Sequence, residues 1–266
     1  MRRLADLIEA SAVLVLSGAG LSTESGIPDY RGPTSVRRTP MTYQEFAGSA
    51  AARQRYWARS HVGWRVMTAA RPNAGHHAVA ALQAAGRLHG IITQNVDGLH
   101  QAAGARDVLE LHGSLGSVVC LNCRDRTSRV AHAARLAAAN PSYTPSGPTL
   151  PDGDLELGDS SGFVVVGCER CGGALKPDVV FFGENVPADR VARAFALTDS
   201  ARSVLVLGSS LTVRSGYRFV LRAAKVGIPI AIVNQGPTRG DDLAAIRVDA
   251  PLGEALSSLV RMRASA

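Results

Sequence analysis

Four stretches of the chain are apolar almost without a break: 12–17, 90–93, 203–208 and 229–234. Each is too short for a buried helix and lacks the polar alternation of a half-exposed strand, which predicts strands of a parallel sheet covered on both faces. Between them, at about 50–69, 75–86, 188–199, 214–226 and 240–245, apolar positions recur at helical spacing. Strands alternating with helices predict βαβ units and an α/β fold, a doubly wound (Rossmann-like) parallel sheet. The alternation is interrupted at 116–177. The expected organisation is therefore one Rossmann-like domain built from 1–115 and 178–266, with a second, smaller module of 116–177 inserted in it. The middle of that insert, 140–162, is rich in Pro, Gly, Ser and Asp and reads as a surface loop. No internal repeat is visible.

Composition adds limits. With 46% hydrophobic and 19% charged residues among 266, the chain is globular, and its length suffices for a sizeable core. No apolar run is long enough to span a bilayer, which predicts no membrane association. The net charge of +7 invites an anionic partner, but the basic residues are nearly all arginine and are scattered along the chain. No nucleic-acid-binding stripe results. No apolar leader precedes the first strand near residue 12, so the expected location is cytoplasmic. The oligomeric state is left open.

Every cysteine falls into one of two C-x-x-C pairs, Cys120/Cys123 and Cys168/Cys171, with 44 residues between them. Four thiolates close a tetrahedral shell and leave no position for water, so the expected metal is one structural zinc ion. The first strand ends in Gly18-Ala19-Gly20, a turn that lets a pyrophosphate approach the backbone and the N–H groups of a following helix. Thr23 stands where a dinucleotide fingerprint needs its third glycine, and no acidic residue ends a second strand about 20 residues on. A routine dehydrogenase is therefore disfavoured.

The segment from Gly18 to Gly32, including Thr23, Pro28-Asp29-Tyr30-Arg31, resembles the signature of the sirtuins. So do Thr93-Gln94-Asn95-Val96-Asp97-Gly98, Leu111-His112-Gly113, the cysteine pairs, Phe182-Gly183-Glu184, Gly208-Ser209-Ser210 and Asn234-Gln235-Gly236, in the family's order. Pro151-Asp152-Gly153-Asp154, the run from Lys176 to Glu184, Gly236-Pro237-Thr238-Arg239, Tyr56-Trp57-Ala58-Arg59 and Ser215-Gly216-Tyr217-Arg218-Phe219 look like the class II branch. That branch includes a mitochondrial lipoamidase and ADP-ribosyltransferase.

The resemblance implies an NAD-dependent protein-lysine deacylase. NAD would be consumed, and the products would be nicotinamide, free lysine and O-acyl-ADP-ribose. It implies His112 as general base, with Asn95 and Asp97 at the nicotinamide pocket. The expected NAD contacts are Gly18, Ala19, Gly20, Thr23, Asp29, Arg31, Gln94, Asn95 and Asp97 from the first half. Gly208, Ser209, Ser210, Asn234, Gln235, Gly236 and Leu252 supply the rest. The acyl-lysine peptide would lie along Val179, Phe181, Phe182, Gly183 and Glu184. Tyr56 and Arg59, three apart on a helix, could bind the far carboxylate of an acidic acyl group. Two other functions are carried alongside: mono-ADP-ribosyl transfer to a protein side chain and, more distantly, a non-catalytic NAD- and zinc-binding module.

Overall fold

The computed structural model describes residues 1–10, 12–30, 40–143 and 160–264. The first element is helix α1 (Arg2–Glu9), followed by strand β1 (Val13–Ser17). Helices α2 (Tyr43–Gly48), α3 (Ala50–Ala69) and α4 (Ala74–Ala84) lead to β2 (Leu88–Thr93), the short helix α5 (Leu99–Ala102) and β3 (Val108–Glu110). Next come β4 (Gly113–Cys120), β5 (Arg126–Ser128), α6 (Arg129–Ala139) and β6 (Leu175–Val179). The chain closes with α7 (Ala188–Asp199), β7 (Ser203–Leu207), α8 (Arg214–Lys225), β8 (Ile230–Val233), β9 (Ile246–Val248) and α9 (Leu252–Ala264).

Six strands form one parallel sheet in the order β3-β2-β1-β7-β8-β9. The chain fills one side of β1 first and the other side later, so the order reverses between β1 and β7. Open α/β sheets bind ligands at such a switch point, beyond the carboxyl ends of the strands. The unbroken apolar runs are explained by period-2 alternation between two covered faces. Val13 and Val15 pack with α1, α4 and α9, through Leu4, Val79 and Leu256. Leu14 and Leu16 pack on the opposite face with α7 and α8, through Ala194, Phe219 and Val220.

Helix starts follow their caps. Thr42 and Glu45 form a reciprocal capping box at α2, Ser49 accepts from the Ala52 N–H at α3, and Asn73 accepts from Gly75 and His76 at α4. The helix expected at 240–245 is instead a single 3-10 turn, Asp241–Leu243, followed by β9. The Asp241 carboxylate accepts from the Thr238 hydroxyl at 2.6 Å and pairs with Arg247 at 3.0 Å. Those bonds fix a tight turn and leave no helical register for a further turn.

The second sheet is antiparallel, in the order β5-β4-β6. Its core joins Val118, Leu136, Phe163 and Leu175 to Phe46, Tyr56 and Trp57 of α2 and α3. Part of the stretch expected to belong to the larger domain thus shares a core with the insert. Trp57 is fully buried, and its indole N–H donates to the Leu175 carbonyl at 3.0 Å.

Candidate active site

A cleft of about 630 Å³ opens at the switch point. Its floor is made where β1 and β7 end side by side. Gly18 N–H donates to the Leu207 carbonyl at 2.9 Å, and Gly20 N–H to the Gly208 carbonyl at 2.8 Å. A Cβ on Gly18 would stand 2.8 Å from the Gly208 oxygen, and one on Gly208, where φ is +61°, would stand 2.4 Å from the Leu21 nitrogen. The two turns therefore touch backbone to backbone, a contact that only glycine permits. The site leaves Gly18, Ala19 and Gly20 in the cleft wall beside Ser209 and Ser210. Gly18 and Gly20 commit their own N–H groups to that floor, so the donors that face the cleft for a pyrophosphate and its riboses are the hydroxyls at the β7 end, Ser209 and Ser210. The size and this donor set fit a dinucleotide.

The β2 end supplies the next layer. The Gln94 amide donates to Ser209 Oγ at 2.9 Å, which ties β2 to β7. The Asn95 side-chain amide donates to the Gly18 carbonyl at 3.0 Å and to Ser22 Oγ at 3.1 Å. The Ser22 hydroxyl in turn donates to Asp97 at 2.7 Å, and the other Asp97 oxygen accepts from the Leu99 N–H at 2.9 Å. Asn95 and Asp97 are thus held from both sides before any ligand arrives, with lone pairs left on the carboxylate for an incoming amide.

His112 sits between β3 and β4. Its Nδ1 lies 2.9 Å from the Gln94 carbonyl, which makes Nδ1 the protonated nitrogen, and its Nε2 lies 2.7 Å from the Ser215 hydroxyl. Burial pushes the imidazole down to about 4; the Gln94 carbonyl opposes this, and Arg190 and Arg218 push the same way as burial. At neutral pH the ring is an uncharged base facing the cleft.

The loop after β6 forms the far wall. Val180 N–H donates to the His112 carbonyl at 2.7 Å. Glu184 folds the loop, accepting from Phe181 N–H at 2.9 Å and pairing with the buried Lys176 at 3.0 Å. Tyr43 N–H donates to the Phe182 carbonyl at 2.9 Å, docking α2 onto the same loop.

Of the residues expected to bind NAD, Asp29, Gln94, Gly208, Asn234, Gln235 and Gly236 also line the cleft. The Asn234 amide donates to the carbonyls of Gln235 and Gly236, so it shapes the rim it belongs to. Thr23 does not line the cleft; its hydroxyl donates to the Gly20 carbonyl at 3.0 Å and stabilises the turn. Leu252 does not line it either, because it is packed in the core of α4 and α9. Arg31 and Pro151-Asp152-Gly153-Asp154 lie outside the described residues. Of the residues expected to meet the acyl-lysine peptide, Tyr56, Val179, Phe181, Phe182, Gly183 and Glu184 are all in the wall, but Arg59 is not. Ser215 and Arg218, which the sequence marks only as part of a branch motif and to which it gives no place in the site, stand on the first turns of α8 and line the cleft. The signal was the start of the helix expected at 214–226, which points at the strand ends.

The four cysteine sulfurs lie within 4.8 Å of one another, with Cys120–Cys171 at 3.6 Å and Cys123–Cys168 at 3.7 Å. Four thiolates at about 2.3 Å from a tetrahedral zinc stand about 3.8 Å apart, so the cluster fits the ion as it is. Both turns are built alike. Arg124 N–H returns to the Cys120 carbonyl, and Gly172 N–H to the Cys168 carbonyl.

Three more histidines are buried: His76, His100 and His132, pushed by burial down to about 4, 4 and 3. With His112, they sit below the 6.5 of a free imidazole. Below pH 6.5 the unfolded chain takes up protons that the folded protein refuses until about pH 4. Stability is therefore full above 6.5 and falls as pH drops through that window. Urea unfolding midpoints should decline from pH 7 to about pH 5; constant midpoints would show that these rings are not held neutral.

The Sir2 family model matches residues 18–215. The chain is 58% identical over 261 residues to NAD-dependent protein deacetylase 1 of Streptomyces coelicolor, covering 96% of this chain and 87% of that protein. It is 53% identical over 262 residues to NAD-dependent protein deacetylase 1 of Mycobacterium avium, covering 96% and 93%. A solved structure of Sir2 with a p53 peptide and NAD+ superposes with a TM-score of 0.82 at 31% identity, over 100% of this chain and 99% of that one. The chain belongs to the Sir2 family.

Proposed function

We infer that this chain is an NAD-dependent protein-lysine deacylase, and that acetyl-lysine in an extended peptide is its working substrate. The observation that carries the reading is His112. It is an uncharged imidazole with Nδ1 committed to the backbone and Nε2 turned to a cleft shaped for a dinucleotide. NAD, bound along the strand ends, supplies the ADP-ribosyl group that receives the acyl group as nicotinamide leaves. Gln94, Ser209 and Asn234 orient the riboses, and Asp97 accepts from the nicotinamide amide. His112 takes the proton of the ribose hydroxyl that attacks the acyl carbon. The four cysteines would hold one zinc, which takes no part in these steps.

Peptide and acyl group enter past Tyr56, Met41, Met67 and Phe181, an apolar wall suited to the methylenes of an acyl-lysine. That wall has no use in ADP-ribosyl transfer to an arbitrary side chain, so deacylation is favoured. The experiment is to incubate the protein with NAD and an acetyl-lysine peptide. Nicotinamide and O-acetyl-ADP-ribose, identified by mass spectrometry, are the expected products. ADP-ribose found covalently on protein, with the peptide still acetylated, would overturn the reading.

We assign the chain to the class II branch on the run from Lys176 to Glu184, whose two ends close as an ion pair. The same apolar wall supports uncharged acyl groups, short or long, over acidic ones. Because Arg59 is not in the wall, Arg59→Met should change glutaryl-, acetyl- and lipoyl-peptide turnover in equal proportion. A loss confined to the glutaryl peptide, on the order of 10- to 150-fold, would restore the Tyr56/Arg59 carboxylate site. We place the reaction in the cytoplasm, where thiols stay reduced, because the four free cysteines stand at metal-ligand spacing. Among the described residues no helix is long and apolar enough to cross a membrane.

A further inference from the structure

We propose that the hydroxyl of Ser215 is the relay through which His112 takes its proton. The proposal rests on His112 being the general base. The Gln94 carbonyl occupies the Nδ1 proton at 2.9 Å, so the lone pair of the ring is on Nε2. Ser215, the second residue of α8, donates its hydroxyl to that lone pair at 2.7 Å. No side chain caps the start of α8, and the Ser215 side chain lies in the cleft wall.

The position of Ser215 is fixed by its neighbour. Gly216 is packed so closely on the Gln94 side chain that a Cβ there would meet Oε1 at 2.4 Å. The first turn of α8 is therefore wedged against the same residue whose carbonyl holds the other side of the imidazole. Ring and hydroxyl are located by one common partner, and their 2.7 Å contact belongs to the framework.

A substrate hydroxyl that approaches Nε2 finds the lone pair already taken. Ser215 resolves the conflict, because a hydroxyl donates one proton and accepts through two lone pairs at once. The ribose O–H donates to Ser215 Oγ while Ser215 O–H donates to Nε2. As the ribose oxygen forms its bond to the acyl carbon, the π pair of that carbon shifts to the lysine nitrogen, the ribose proton passes to Ser215, and the Ser215 proton passes to Nε2. Serine ends unchanged, the ribose oxygen has lost one proton and His112 has gained one.

The test compares the parent protein, Ser215→Ala, Ser215→Thr, His112→Ala and the double variant, with an acetyl-lysine peptide and NAD. Three readings are taken: single-turnover deacetylation, exchange of labelled nicotinamide into NAD, and the histidine side-chain 15N spectrum of the ligand-free protein. Ser215→Ala should slow deacetylation about 10- to 100-fold, part of the usual general-base contribution, with exchange and the KM for NAD retained. Ser215→Thr should restore the rate. Adding Ser215→Ala to His112→Ala should cost nothing further, as for residues that act as one unit. In the free protein, the His112 Nε2 resonance should move toward that of an unbonded imidazole nitrogen in Ser215→Ala and return in Ser215→Thr. Deacetylation by Ser215→Ala at the parent rate would overturn the relay. So would an unmoved Nε2 resonance, an additive double variant, or equal loss of exchange and deacetylation with a raised KM for NAD. Full deacetylation by His112→Ala would instead bring down the general-base reading, and the relay with it.

Discussion

His112→Ala is expected to turn over an acetyl-lysine peptide about 10²–10⁴-fold more slowly than the parent, with NAD affinity nearly intact. The substitution removes the imidazole and little of what holds the cleft. Gln94 N–H still donates to the Ser17 carbonyl at 2.9 Å, and the Gln94 amide still reaches Ser209. The backbone of residue 112 still accepts from Val180 N–H, so the loop after β6 keeps its anchor. Titration calorimetry with NAD should therefore look like the parent's, while single-turnover deacetylation collapses. Unchanged deacetylation would rule out His112 as the base, and lost NAD binding would make it a wall residue.

The second large effect is loss of the metal. One zinc per chain is expected, and chelation or Cys171→Ser should unfold the small sheet and abolish turnover. A structural Cys-ligated zinc contributes on the order of 10 kcal/mol or more to folding. Cys171 is the exposed member of the four, so replacing it with serine empties no core. Destabilisation there would report ligation and not packing.

Activity should follow because the knuckles and the site share strands. β4 runs from Gly113, next to His112, up to Cys120, and β6 descends from Leu175, paired with Cys120, to Val179, paired with Gly113. Strands freed at the metal end no longer aim His112 or the loop after Val179. Metal analysis, a melting curve and nicotinamide release check this together. A metal-free parent, or a Cys171→Ser protein with parental melting and turnover, would contradict it.

The central strands were legible because both faces of the sheet are covered. A strand such as β1 then has apolar residues at every position and no rival periodicity. α3 and α7 coincide with the stretches read at 50–69 and 188–199. β4 was not legible, since Gly113-Ser114-Leu115-Gly116-Ser117 has neither strand nor helix pattern; it exists through pairing with β6 more than fifty residues away. β3 and β9 have three residues each, too few for any period to show.

At the site, Gly18, Gln94, Gly208 and Asn234, which the sequence singled out, directly follow strand ends and line the cleft, where chain direction alone places them. The contact of Ser215 with His112 was hidden because the two lie 103 residues apart, and only the sheet order brings α8 over β2. Arg59 is not among the residues that line the cleft. Helical spacing puts it on the side of Tyr56, yet of the two only Tyr56 lines the cleft.

The contact of Gly18 with Gly208 bears on what can be learned from comparing distant proteins. Both glycines are demanded by the neighbouring backbone, whatever lies in the cleft. A library of variants selected only for soluble expression, with no requirement for turnover, would still return glycine at both positions. Agreement at these two sites is therefore evidence of shared architecture, and by itself carries no information about a shared ligand.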